Sequence, residues 1–256
     1  MPKIISIHSY RGGTGKSNLT ANIAATVARK GYRVGIVDTD IHSPGIHILF
    51  GLQESDINYT LNSYLWGQCS IRDTVYNVTT VLKDQANQRN RIYLVPSSTK
   101  LNDISRILRE RFDVELLLQG FKDLIDSIKL DYLFVDTHPG LSQETLISLT
   151  TSDIVLLILR PDQQDFQGTA VTVDVARRLK VPMLLLAINK VLTDYDFNDL
   201  KCKVESTYQA PVAGIIPESK DILRLASSDI FCLRYPKNPI SQTIDKIAEK
   251  IIASEK

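Results

Sequence analysis

The chain has 256 residues, with 30 Lys plus Arg against 29 Asp plus Glu and a net charge of +1. A chain of that length buries about three quarters of its unfolded surface, so it needs no disulfide or structural metal to hold a core, and it fits one or two domains. Near-neutral charge excludes a global pull toward nucleic acid or an anionic membrane and leaves room only for a local basic patch. Cys69, Cys202 and Cys232 are far apart and form no C-x-x-C pair. That argues against a zinc or iron–sulfur site and for reduced thiols in a cytosolic protein.

The opening "MPKIISIHSY" is too short an apolar run for a signal peptide, and no run of about 18 apolar residues marks a membrane span. Taken in chain order, 3–9 reads as a strand and 15–31 as a helix, apolar at Leu19, Ile23, Ala24 and Val27 and stopped by Gly31. Residues 32–40 and 90–98 read as strands, and the polar stretch 83–91 between them as a surface loop. Residues 103–128 read as one helix or two. Strands follow at 130–140, 152–162 and 181–191, with a helix over 167–180. A short strand at 210–219 and a helix over 239–254 close the chain. Several strands are almost continuously apolar, as in a parallel sheet covered on both faces. No linker or composition break divides the chain, so one doubly wound α/β domain over 1–256 is expected.

"SYRGGTGKSNLT" (9–20) lies between the first strand and the first helix, the context of a phosphate-binding loop. Gly12, Gly13 and Gly15 permit close backbone approach, and amides at the helix start point at an anion. Lys16 can reach outer phosphates and the Ser17 hydroxyl can bind Mg²⁺. The usual pattern wants glycine where Tyr10 stands, and a second cation, Arg11, sits five residues before Lys16. Asp38 and Asp40 stand at i and i+2 at the end of the second strand, a spacing that points both carboxylates the same way beside a bound phosphate. "DYLFVDTHPGL" (131–141) is an apolar strand ending in Asp136, followed by His138, expected to make a local hydrogen bond in its loop. Asn189 ends another strand with an amide able to pair donor and acceptor with adenine.

"RGGTGKS" resembles the loop of the MinD/ParA family of deviant Walker A P-loop ATPases at every position except the first, where the family has lysine. That variant does not need glycine at Tyr10. "VGIVDTDIHSPGIHILFG" (34–51), "DYLFVDTHPGL", "LLLAINKV" (184–191) and "GIIPESKDI" (214–222) resemble the family's segments in the same order, so the resemblance runs from residue 3 to about 252. It implies a P-loop NTPase fold: a doubly wound, mainly parallel sheet with helices on both faces. It implies ATP and Mg²⁺ as ligands, with Arg11, Gly12, Gly13, Thr14, Gly15, Lys16, Ser17, Asn18, Gly140, Asn189 and Pro217 around the nucleotide. Ser17, Asp38 and Asp136 would serve the metal, Asp40 would place the attacking water, and Lys16, Asp40 and Arg11 form the catalytic set. Gly140 corresponds to a switch glycine that senses the γ-phosphate, and Pro217 packs on adenine.

The resemblance further implies a homodimer closed face to face around two ATP molecules, with Arg11 reaching the partner's phosphates like an arginine finger, and slow turnover until an activating or cargo protein completes the site. Such a protein would be a spatial-positioning or regulatory switch. The closing segment carries Ile244, Ile247, Ile251 and Ile252 on one face without the bulk or charge of a membrane anchor, and reads as core. Basic clusters at 106–111 and 177–180 are diluted by acids, so nonspecific DNA binding is not the favoured reading. No cysteine pair supports an iron–sulfur carrier and no tyrosine-rich tail a kinase, and "SPGIHILFGL" (43–52) fits several branches. A nucleotide-gated binding module with little hydrolysis, and a metabolic ATP-dependent enzyme of related fold, stay open as alternatives.

Overall fold

The computed structural model describes residues 2–85, 89–110 and 112–254. Part of the polar loop expected at 83–91 (residues 86–88), Arg111 of the basic stretch, and residues 255–256 of the closing segment lie outside these. In chain order the strands and α-helices are β1 (Lys3–His8), α1 (Lys16–Arg29), β2 (Arg33–Asp38), α2 (Ile46–Leu49), α3 (Leu61–Leu65), β3 (Tyr76–Asn77), β4 (Arg91–Val95), α4 (Leu101–Arg109), α5 (Val114–Ile128) and β5 (Tyr132–Asp136). They continue with α6 (Gln143–Thr151), β6 (Ile154–Leu159), α7 (Gln163–Arg178), β7 (Met183–Val191), α8 (Phe197–Tyr208), β8 (Val212–Pro217), α9 (Lys220–Leu225), α10 (Phe231–Arg234) and α11 (Pro239–Ala253).

The strands form one eight-stranded sheet in the order β3-β4-β2-β5-β1-β6-β7-β8, parallel except for the β3–β4 pair. This is the doubly wound sheet expected from the near-continuous apolar strands. Every residue of β5 and β6 is buried. Chain order reverses direction around β1, and such a reversal opens a crevice at the strands' C-terminal ends. There β1 lies between β5 and β6, with Ile7 opposite Asp136, while Asp38 of β2 lies opposite Asp136 on its other side. The register therefore sets two carboxylates side by side at the crevice.

Most long helices start on a side-chain cap, which satisfies amides that lack an intrahelical partner. Asp113, Ser142, Asp162 and Asp196 cap α5, α6, α7 and α8, and Asn238 with Pro239 starts α11. The stretch read as one helix or two over 103–128 is two, broken where Asp113 caps the second. α11 buries Ile244, Ile247 and Ile251 in the core formed with α1 and β8. Burying each such side chain stabilises the fold by roughly 1.5–3 kcal/mol. The three cysteines are free, and among the described residues no helix is long and apolar enough to cross a membrane.

Candidate active site

The loop from Ser9 to Gly15 joins β1 to α1. Unlike the capped helices, α1 starts on Gly15 in the left-handed region (φ 91°) with no side-chain cap. Its first amides are thus left for an anion. A Cβ on Gly15 would also lie 2.5 Å from Asn189 Nδ2, so the position needs glycine on two counts. The end of β7 straps the loop: Asn189 Nδ2 donates to the Thr14 carbonyl at 2.7 Å and Lys190 Nζ to the Gly13 carbonyl at 2.8 Å. Thr14 is buried and its hydroxyl has no partner. Above the loop lies a cavity of about 290 Å³ lined by Gly12 through Asn18, with Ser9, Asp40, Ser43, His138 and Pro139.

Beneath that cavity Lys16 is buried between acids. Its Nζ lies 3.2 Å from Asp136 Oδ1 and 3.6 Å from Asp40 Oδ2. Burial alone would lower the pKa of its ammonium; Asp136, Asp40 and Asp38 outweigh burial and hold it above the ordinary value. Thr20, one turn into α1, donates to the same Asp136 oxygen at 3.1 Å. Asp136 Oδ2 stays buried without a partner. Asp38 and Asp40 do not share one environment. Both Asp38 oxygens accept amides, from Asp40 at 3.1 Å and Gly45 at 3.2 Å. Its complete burial, with Asp136 opposite, pushes its carboxyl up to about 8. Asp40 instead faces the cavity, where His138 Nδ1 meets its Oδ1 at 2.7 Å. The strand spacing aligned the two acids, but β2 ends at Asp38 and the following turn gives Asp40 its own direction.

The donor set fits a magnesium ion. Magnesium usually takes one or two carboxylates and completes its shell with water and substrate phosphates. Among the described residues no group of three or more His, Cys, Asp or Glu could hold an ion by itself. The orphaned Asp136 Oδ2 and the Ser17 hydroxyl in the cavity wall are what such an incomplete shell needs.

Arg11 points away from Lys16. Its Nη1 lies 3.4 Å from Asp162 and 3.8 Å from Asp165 at the start of α7. Asp165 Oδ1 is otherwise unpartnered. Tyr10 lies against the same helix, so close that a Cβ on Gly168 would fall 1.9 Å from its ring. Gly140 (φ 83°) donates its amide to Ser9 at 3.0 Å, which ties the loop after β5 to the phosphate loop.

On the far side of Gly15 a mainly apolar cavity of about 250 Å³ runs between Asn18, Leu19, Asn189, Pro217, Ile222 and Phe231. Gly15 and Asn18 line both this cavity and the phosphate cavity. Asn189 and Pro217, which the resemblance assigns to the base, line this cavity together. Ile222, from α9, ends the segment 214–222 that carried the resemblance, whereas Phe231, from α10, carried no sequence signal. Nor did Thr20, Asp162, Asp165 and Gly168, whose roles depend on packing across the sheet.

The AAA_31 family (AAA domain) matches residues 2–184. An uncharacterised ATP-binding protein of Methanocaldococcus jannaschii is 26% identical over 252 residues, covering 98% of this chain and 88% of that protein. The flagellum site-determining protein YlxH of Helicobacter pylori is 27% identical over 269 residues, with 98% and 82% covered. An iron–sulfur cluster carrier protein of Pyrococcus furiosus is 24% identical over 262 residues, with 97% and 85% covered. Among solved structures, the cell division ATPase MinD of Pyrococcus furiosus superposes with a TM-score of 0.82 at 23% identity, over 99% of this chain and all (100%) of that one. The septum site-determining protein MinD of Pyrococcus horikoshii, complexed with Mg-ADP, gives 0.80 at 22% identity over 98% and 96%. The chain belongs to the AAA_31 family and is a P-loop ATPase of the MinD/ParA type.

Proposed function

We propose that this single-domain chain (1–256) is a cytoplasmic Mg·ATP-hydrolysing switch that closes into a face-to-face homodimer and positions or regulates another cellular component. The observation that carries this reading is Lys16. It is held by Asp40 and Asp136 under an uncapped helix start, with an apolar slot for a base one glycine away. A triphosphate in the cavity offers Lys16 a stronger set of anionic partners than its own acids, and the free amides of α1 receive the phosphate oxygens. Asp40 then faces the end of the phosphate chain and orients water. Ser17 and Asp136 would hold the magnesium, with Asp38 supporting them from behind. Magnesium supplies positive charge to the phosphates. Gly140, hydrogen-bonded to Ser9, reports the γ-phosphate to the loop after β5. Arg11 leaves Asp162 and Asp165 to clamp the partner's nucleotide, and turnover stays slow until an activating or cargo protein binds.

A protein surface fits better than DNA or a membrane. In the two basic clusters Arg106 pairs with Glu110 at 2.9 Å and Arg177 donates to the Tyr208 carbonyl, so part of their charge is engaged within the fold. The apolar face of α11 is in the core. Light scattering with Mg·ATP, Mg·ADP and no nucleotide tests the proposal. It expects a dimer with ATP only, longer-lived in Asp40→Ala and weakened in Arg11→Ala; a monomer in every condition would remove the dimer. Phosphate release then separates the ATPase from a binding module, which would show no turnover with or without partners.

A further inference from the structure

His138 lies at the cavity mouth and is not assigned a part by the reading above. The residue is held at three points, two of them on the ring. Its carbonyl accepts the Thr145 hydroxyl at 3.2 Å, its ring lies 4.6 Å from that of His42 at 47°, and its Nδ1 is 2.7 Å from Asp40 Oδ1. A carboxylate only accepts, so Nδ1 carries the proton and donates it. Asp40 Oδ1 takes a second, longer bond from the Ser43 amide at 3.2 Å. Its other oxygen, Oδ2, faces Lys16 at 3.6 Å. One oxygen of the carboxylate is therefore pinned by the shortest contact in the cluster, and the other faces Lys16 at the wall of the phosphate cavity.

We infer that His138 is a positioning residue for hydrolysis, and that its Nδ1–H holds the Asp40 carboxylate in the attitude that aligns the attacking water. The inference rests on the hydrolytic reading of Asp40. In that step the water oxygen bonds to the γ-phosphorus as the bond to the β–γ bridging oxygen breaks. ADP leaves, one water proton stays on inorganic phosphate and the other passes to solvent. Water alignment depends on the direction of the accepting oxygen, and small misplacements of such a group cost rate rather than binding. Without His138 only the Ser43 amide fixes Oδ1, and Lys16 can draw the carboxylate round. His42 supports the ring from the same turn that carries Asp40.

The test compares two variants by steady-state phosphate release with Mg·ATP, alongside thermal unfolding. His138→Phe keeps a ring against His42 but has no donor. His138→Asn puts an amide donor close to the Nδ1 position. The expected result is a fall in kcat of about ten-fold for His138→Phe, with KM within about two-fold of wild type, and recovery of most of that loss in His138→Asn. Wild-type kcat in His138→Phe, or equal losses in the two variants, would overturn the inference. If His138→Phe lowers the melting temperature, His138→Ala against His138→Asn gives the same reading. A wild type that binds Mg·ATP without releasing phosphate would remove the hydrolytic reading and this inference with it. Turnover unmoved by His138→Phe would remove this inference alone.

Discussion

Lys16 and Arg11 stand five residues apart on one loop in opposite surroundings. The Lys16 side chain is 7% exposed between two buried carboxylates. That of Arg11 is 41% exposed; it meets the part-exposed Asp162 at 3.4 Å and the buried Asp165 only at 3.8 Å, beyond hydrogen-bond range. Opening a buried pair strands a charge in low dielectric, whereas an exposed pair contributes about 0–1 kcal/mol and is lost to salt and water easily. The loop therefore carries one cation that stays and one that can leave. Such a division suits a site whose inner cation serves its own phosphates and whose outer cation serves a neighbour.

The largest effect should come from the inner half. Lys16→Met leaves Asp136 and Asp40 without their cation, so it should lose nucleotide binding and cost about 3 kcal/mol in chemical denaturation of the empty protein. A stability change as small as that of an exposed pair would show that Lys16 is not structurally fixed.

Next comes the histidine under the loop. Thr137 donates its hydroxyl to the Ile7 carbonyl, so it accepts from His8 Nδ1, and Nε2 remains without a partner. Burial, with Lys16 and His138 nearby, pushes the His8 pKa from 6.5 down to about 3. Below pH 6.5 the unfolded chain takes up a proton that the folded chain refuses, so stability is lost as pH falls through that window. The expected loss between pH 6.5 and 5 is about 2 kcal/mol. His8→Gln, which gains no charge, should flatten that part of the urea-denaturation profile. An unchanged slope would place the acid sensitivity elsewhere.

A smaller effect tests how the outer half is seated. Gly168→Ala should displace Tyr10 and cost about 1–2 kcal/mol despite the better helix propensity of alanine. Tyr10→Ser should restore much of it in a double-mutant cycle. Additive losses would mean that the ring does not bear on α7. The smallest effect belongs to Asp162→Asn, expected within about 0.5 kcal/mol of wild type, since Arg11 is only loosely held there.

The inner half was largely legible in the sequence because contiguous residues write it: a strand, glycines, Lys16 and Ser17, then a second apolar strand ending in Asp136. The sheet followed from runs such as "IVLLIL" that are buried on both faces. The outer half was not legible. Arg11 was visible, but its partners lie about 150 residues away at a helix start whose position depends on the sheet order. The Asp38–Asp40 spacing was readable, yet the turn that separates their environments was not. Helices α6 and α8 went unread for local reasons. "QETLISLTT" is rich in threonine and weakly periodic, and α8 is mostly polar, although Ser142 and Asp196 before them are cap residues that could have marked both.

The division between the two cations is tested most directly by ATP affinity of dilute, monomeric protein, measured by calorimetry with Mg·ATP. Arg11→Ala should bind with wild-type affinity while dimerising more weakly at higher concentration, and Lys16→Met should not bind. Loss of monomer affinity in Arg11→Ala comparable to that in Lys16→Met would contradict the account, because both cations would then serve the same nucleotide.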